Sequence, residues 1–198
     1  MDPIETKNEL QTLFGYLVSL IRNPVKEIQS LPEISLKTLI IFQFCLSFLS
    51  VVISNLLAPY AISMVQVLVS LIIAVSALTL SSLFFYYFFL IIYNTPLSFV
   101  KIFTLVLFSH IPFAIFHLAS YYFPPVDLIG LGISSLLMII GMVENFRVPK
   151  KLATKLMMGL YALFFVYWVM QTIHHYQFSK MTPPQDMDSI EKELKDEL

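Results

Sequence analysis

Residues 38–143 run for 106 positions with only two formal charges, Lys101 and Asp127, and residues 156–179 carry none. A water-soluble chain must solvate its surface with polar groups, so it cannot hide uncharged runs of that length. The other charges cluster: nine lie in residues 1–37, five in 144–155 and nine in 180–198. Charged residues make up 13% of the chain, against about 25% in ordinary soluble domains. The pattern excludes a soluble enzyme, a nucleic-acid-binding protein, a secreted disulfide scaffold and a disordered chain. It predicts an all-α, polytopic membrane helix bundle.

A transmembrane helix needs about 20 predominantly apolar residues. Five stretches qualify: 37–57, 61–93, 99–122, 126–143 and 152–174. Turn chemistry separates them, with Ala58-Pro59-Tyr60, Asn94-Thr95-Pro96, Phe123-Pro124-Pro125 and the charged segment 144–151 containing Pro149. Proline resists continuation of a helix and is tolerated in the first turn of the next. The 33 residues of the second stretch would form a helix of about 50 Å against a hydrocarbon core of about 30 Å. No Gly, Pro or charge interrupts them, so one long, tilted helix is expected, with Thr79–Ser82 the place for a bend.

Basic residues set the expected orientation. Lys7, Arg22, Lys26 and Lys37 precede span one, Lys101 adjoins the turn between spans two and three, and Arg147, Lys150, Lys151 and Lys155 lie between spans four and five. In a five-span chain these nine fall on one side, against three in the tail, which predicts a cytoplasmic N-terminus and a non-cytoplasmic C-terminus. Tyr60, Tyr121, Tyr122 and Tyr176 would then mark the outer interface, and Tyr86, Tyr87 and Tyr93 the inner. The first residues are acidic and no cleavable signal is expected. The one cysteine, Cys45, allows no intramolecular disulfide.

Residues 1–36 are expected to form a cytoplasmic N-terminal segment. Leu10, Leu13, Phe14, Leu17, Val18 and Ile21 recur at helical spacing over residues 8–22, which predicts an amphipathic helix lying in the membrane interface. Asn23 and Pro24 should cap and start a second short helix carrying Val25, Ile28 and Leu31. Residues 175–198 form an acidic tail in which Met187, Ile190, Leu194 and Leu198 suggest a short amphipathic helix. Its last four residues, Lys195-Asp196-Glu197-Leu198, match an endoplasmic-reticulum retrieval signal, a match that the local Glu/Lys/Leu composition produces easily by itself.

Polar groups at membrane depth are costly and therefore candidates for function. His110 lies about 14 Å beyond Lys101 by helical rise, and His117 is seven residues further on the same face. Pro112, between them, removes a backbone donor, frees the Phe108 carbonyl and should kink span three. A cavity or gate is one reading of His110, Pro112 and His117; a histidine hydrogen-bonded to a neighbouring helix is the other. His117, Asp127, His174 and His175 could approach one another, but their spacing matches no metal motif. No metal or other cofactor is expected, His117, Asp127 and His174 being the weak candidates. Asp127 also suits the first turn of span four as a complement to the helix dipole. Gln43, Gln66 and Gln171 read as interhelical hydrogen-bonding groups, and Gly130, Gly132 and Gly141 mark span four as a closely packed central helix. No catalytic motif is present, and no enzyme is expected.

Three short elements stand out: Arg22-Asn23-Pro24 with Leu31-Pro32, Ser109-His110-Ile111-Pro112, and Val143-Glu144-Asn145-Phe146. Together they resemble the Yip family, the five-span Ypt/Rab-GTPase-interacting membrane proteins, and its prokaryotic branch in particular. The resemblance covers roughly residues 20–175 and implies five helices with a cytoplasmic N-terminus. For eukaryotic members it implies binding of prenylated GTPases, but the Asp-Leu-Tyr-Gly-Pro element and the long cytoplasmic domain are missing here. The expectation is a bacterial inner-membrane protein, with an endoplasmic-reticulum or Golgi membrane as the alternative. It would be a non-enzymatic scaffold or membrane-organising factor that acts on membrane lipids, a membrane-protein partner or a second copy of itself. A small transporter or channel around the kinked third span is the alternative function.

Overall fold

The computed structural model describes the backbone of residues 3–57, 63–94, 97–120 and 122–181, and their side chains except at 3–8, 93 and 174–181. Among the described residues eight helices follow in order: α1 (Pro3–Arg22), α2 (Pro24–Glu27), α3 (Leu36–Leu57), α4 (Met64–Tyr93), α5 (Phe99–Ser109), α6 (Ile111–His117), α7 (Val126–Phe146) and α8 (Lys150–Met181). No strand occurs among the described residues. Among the described residues five helical stretches are long and apolar enough to cross a membrane: α3, α4, α5 with α6, α7, and α8 as far as Ile173. The Ala58-Pro59-Tyr60 and Thr95-Pro96 turns, Tyr121, the side chains of His174, His175 and Tyr176, and the tail from 182 onward lie outside the described residues.

The second apolar stretch forms a single helix. Its start is set by a capping box: the Gln66 backbone N–H donates to the Ser63 hydroxyl, and the Ser63 N–H donates to the Gln66 side chain at 3.0 Å. Gln66 is therefore a capping residue, and not the interhelical group its apolar surroundings suggested. The helix ends where Asn94 enters the left-handed region at φ 48°, a conformation asparagine tolerates better than most residues.

Span three is shorter than its apolar run. After His117 the N–H groups of Leu118, Ala119 and Ser120 bond the carbonyls three residues back, tightening the chain into turns ahead of Pro124. Span four is longer: charge does not end a helix, and α7 runs through Glu144 until Arg147 takes φ 55°. Pro149 then immediately precedes α8.

The chain divides into two compact units, residues 1–159 and 160–198. In the first, α3 packs on α4, α4 on α5, and α5 with α6 on α7. Lipid is as apolar as leucine, so close packing and interhelical hydrogen bonds must hold such helices together. Close packing is visible at two glycines. A Cβ on Gly141 would stand 2.1 Å from Leu105 Cδ1, and one on Gly130 would stand 2.8 Å from Phe116 Cβ and 3.1 Å from Phe113 Cα. Gly132 is half-buried on the same helix. Hydrogen bonds add to this where Gln43 Nε2 donates to the Val75 carbonyl at 2.8 Å. The most enclosed helix is nevertheless α5: all eight residues from Ile102 to Ser109 are buried. The central position that the glycines suggested for span four thus belongs first to span three, and α7 supplies the notches into which it fits.

The apolar face of α1 meets two different surroundings. Leu13, Tyr16 and Leu20 are buried, with the Tyr16 ring edge-on to Phe108 at 4.6 Å. Phe14, Val18 and Ile21 are more than half exposed. One stripe therefore docks the helix onto the bundle and a second points away from it. Val25 in α2 is exposed, Ile28 just after the helix is fully buried, and Asn23 makes no side-chain cap.

In the second unit the described part is the rest of α8 from Leu160. Its side chains bond within the helix, Gln171 Nε2 to Tyr167 Oη at 3.1 Å and Thr172 Oγ1 to the Trp168 carbonyl at 2.9 Å. Gln171 is thus an intrahelical group, contrary to its expected interhelical role. Leu163, Phe164, Val166, Tyr167 and Met170 are exposed, as suits a helix whose solvent is hydrocarbon.

Candidate functional site

The starts of α3 and α5 and the end of α7 lie at one end of the first unit, together with Lys101; this is the basic end. The segment 28–35 crosses it on the way from α2 to α3, and Asn145 fixes that segment in place. Its Oδ1 accepts the Leu31 N–H at 3.3 Å, and its Nδ2 donates to the carbonyls of Ile28 at 2.9 Å and Gly141 at 3.0 Å. From the other side, the hydroxyls of Ser35 and Thr38 both donate to Glu9 Oε2, the Ser35 bond at 2.6 Å. These two bonds hold the Glu9 carboxyl below the usual carboxylate range. Tyr16 closes the arrangement by donating its hydroxyl to the Glu27 carbonyl at 2.9 Å. Burial, with Glu27 adding to it, raises the Tyr16 phenol well above its ordinary value, so it remains a donor.

Between these elements lies an open cleft of about 400 Å³, lined by Glu9, Glu33, Ser35, Ser98, Lys101 and Asn145 among others. That volume is near the lower end of small-ligand sites, which span about 300–1,000 Å³. None of these residues is among the site candidates that the sequence offers; Lys101 enters there only through the charge asymmetry, and Leu31, Pro32 and Asn145 only through the family resemblance. Asn145 bonds residues 114 and 117 positions away, a juxtaposition no local pattern encodes. The one available signal was that Leu31-Pro32 and Asn145 both belong to the short elements that carry the family resemblance.

The histidine candidates lie on span three. The helix breaks at His110, between α5 and α6, two residues before Pro112. The Phe113 N–H, one residue after the proline, leaves the intrahelical ladder and donates to Ser134 Oγ on α7 at 3.1 Å. His110 and His117 do not face each other across open space. Phe113 stands between them, its ring centroid 4.8 Å from that of His110 and 5.5 Å from that of His117, stacked on the latter within 15°. At the end of the unit opposite Lys101, His117 Nδ1 meets Asp127 Oδ1 at 3.1 Å. Asp127 occupies the first turn of α7 and so serves both the helix dipole and this histidine. Nearby, Tyr122 Oη donates to the Leu57 carbonyl at 2.9 Å.

No group of three or more His, Cys, Asp or Glu side chains able to hold a metal occurs among the described residues. The His174 side chain, third of the weak metal candidates, lies outside them. His117 and Asp127 alone are a hydrogen-bonded pair.

Membrane-length helices, apolar outward faces and polar contacts confined to the interior and the ends define an integral membrane helix bundle. Comparison with family models, curated proteins and solved structures yields no match for this chain.

Proposed function

We propose that this chain is a non-enzymatic scaffold or membrane-organising protein of the Yip type, acting through lipids or a membrane-protein partner. The observation that carries the reading is the double-sided α1. Leu13, Tyr16 and Leu20 hold it on the bundle while Phe14, Val18 and Ile21 remain exposed beside the membrane-spanning helices. An exposed apolar stripe on a docked helix suits insertion into a bilayer interface or contact with a second protein. Two of the elements behind the family resemblance meet in space, since Asn145 holds Leu31, and this agrees with the same reading.

A photo-reactive phenylalanine analogue in place of Phe14, activated in native membranes, tests it. Lipid adducts or a discrete protein adduct are expected. A chain that reacts only with water refutes the reading.

The excess of basic residues at the end that holds Lys101 supports a cytoplasmic N-terminus, in a bacterial inner membrane. With Cys45 replaced by serine, single cysteines at Thr6 and Thr95 should react from the cytoplasmic side and one at Ser189 from the other. A cytoplasmic Ser189 would overturn the topology. A small transporter is the second reading, supported by the break of span three at His110. Liposome flux that is lost in His110→Ala or His117→Ala would favour it.

A further inference from the structure

The cleft at the basic end becomes informative once its satisfied groups are set aside. Asn145 spends Oδ1 and Nδ2 on backbone groups. Thr104, on the same wall, donates its hydroxyl to the Val100 carbonyl at 2.8 Å. Ser35 donates to Glu9 Oε2. What remains is divided by element. On the α5 side stand the Lys101 ammonium, exposed and without an ion-pair partner among the described residues, and the first-turn N–H groups of α5, which Ser98 does not cap. On the side of α1 and the 31–35 segment stand the exposed Glu33 carboxylate and, beside it on the cleft lining, the Glu9 carboxylate whose Oε2 accepts from Ser35 and Thr38.

One wall thus offers a cation with helix N–H donors, which suits a phosphate oxygen. The opposite wall offers carboxylate oxygens, which suit a primary ammonium able to donate hydrogen bonds. The depth of the cleft also bears on its occupant. It is walled by the residues that begin spans one and three and end span four, where a bilayer places its headgroups.

We infer that the Glu9–Glu33–Lys101 cleft binds a zwitterion joining a phosphate to a primary ammonium, as in the phosphoethanolamine headgroup of a membrane lipid. Lys101 holds the phosphate, and Glu33 with Glu9 holds the ammonium. The inference deepens the lipid-acting reading above and rests on it. Its failure would be distinguishable, because a protein partner captured at Phe14 would sustain that reading with the cleft empty.

The test is native mass spectrometry of the full chain released from mild detergent. It is titrated in parallel with phosphatidylethanolamine, phosphatidylcholine and phosphatidylglycerol of identical acyl chains, and with soluble glycerophosphoethanolamine. Phosphatidylethanolamine should be retained several-fold more strongly than the other two lipids. Phosphatidylcholine lacks N–H donors for the carboxylates, and phosphatidylglycerol lacks the cation. Lys101→Met and Glu33→Gln replace exposed side chains, so the fold should survive, and each should remove most of the preference. Lys101→Arg should keep it. Displacement of the lipid by glycerophosphoethanolamine would support the same chemistry with a soluble source, and retention of the lipid alone would support the membrane source. Equal retention of the three lipids, or a preference that survives both Lys101→Met and Glu33→Gln, overturns the assignment.

Discussion

Asn145→Ala should release the 28–35 segment from the bundle without unfolding the spans. Three hydrogen bonds end on this one side chain, and two of them join distant parts of the chain: the Leu31 N–H to Oδ1 at 3.3 Å and Nδ2 to the Ile28 carbonyl at 2.9 Å. Each is worth about 0.5–1.5 kcal/mol net, and the pair therefore about 1–3 kcal/mol. The Ile28 bond carries the larger share, because it is shorter and because Ile28 is fully buried, so its carbonyl would lose a partner that water replaces poorly. The opening equilibrium of the segment should rise roughly five- to 150-fold, since about 1.4 kcal/mol is a factor of ten. Amide hydrogen exchange in mild detergent reads this directly, because the Leu31 N–H is itself the donor. Exchange at Leu31 should accelerate within that range, while the amides of Ile102–Ser109 in the buried α5 keep their protection. Unchanged exchange at Leu31 would show that Asn145 does not hold the segment. Equal acceleration in α5 would show that the segment is not an independently opening element.

The two glycine notches should respond differently to repair. Gly141→Ala drives a methyl into the end of the buried Leu105 side chain and should cost about 1–3 kcal/mol in thermal unfolding, much of it recovered when Leu105 is trimmed to alanine in the same chain. Gly130→Ala meets Phe116 Cβ and Phe113 Cα, atoms that Phe116→Ala leaves in place, so that second change should bring no recovery; a recovery would refute the proposed closeness of α6 and α7. The Glu9 carboxyl has its folded-state pKa lowered by Ser35 and Thr38, so its contribution is fully present above the ordinary value of 4.5 and is lost as pH falls through the lower folded value. Cysteine accessibility along α1 should therefore stay constant from neutral pH down to 4.5 and rise only below it, and Glu9→Gln should abolish that rise. The His117–Asp127 contact is partly exposed, 46% and 25% for the two side chains, so a double-mutant cycle with His117→Ala and Asp127→Asn should return a coupling below about 1 kcal/mol. A much larger value would mean that the pair is embedded in a wider network.

Elements whose cause is local were legible before any coordinates. Uncharged length defines the spans. Pro112 announces a break, because a missing N–H acts on its own helix, and the backbone parts at His110. Where the cause lies elsewhere in the chain, local pattern misleads in specific ways. Gln66 and Gln171 looked interhelical because a glutamine in an apolar run needs a partner, yet the partners proved to be an N-cap serine and a tyrosine one turn away. The apolar face of α1 is visible in the sequence, but hydrophobicity does not distinguish a side chain docked on protein from one turned away from it.

The candidate site shows the same division. His110 and His117 stood out as polar residues in an apolar run, but only packing reveals Phe113 between their rings. The cleft around Lys101 gathers Glu9, Glu33, Ser98 and Asn145 from four separate parts of the sequence. The sequence by itself determined the solvent of this protein and the number of membrane-length helices. Burial of apolar area and the satisfaction of backbone hydrogen bonds within a single helix are properties of a contiguous segment. Tertiary structure alone decided that span three is the enclosed helix, that α1 shows its apolar residues in two directions, and that unsatisfied charges of both signs share one cleft. Those outcomes depend on contacts between residues from 26 to 117 positions apart, and no periodicity along a chain carries them.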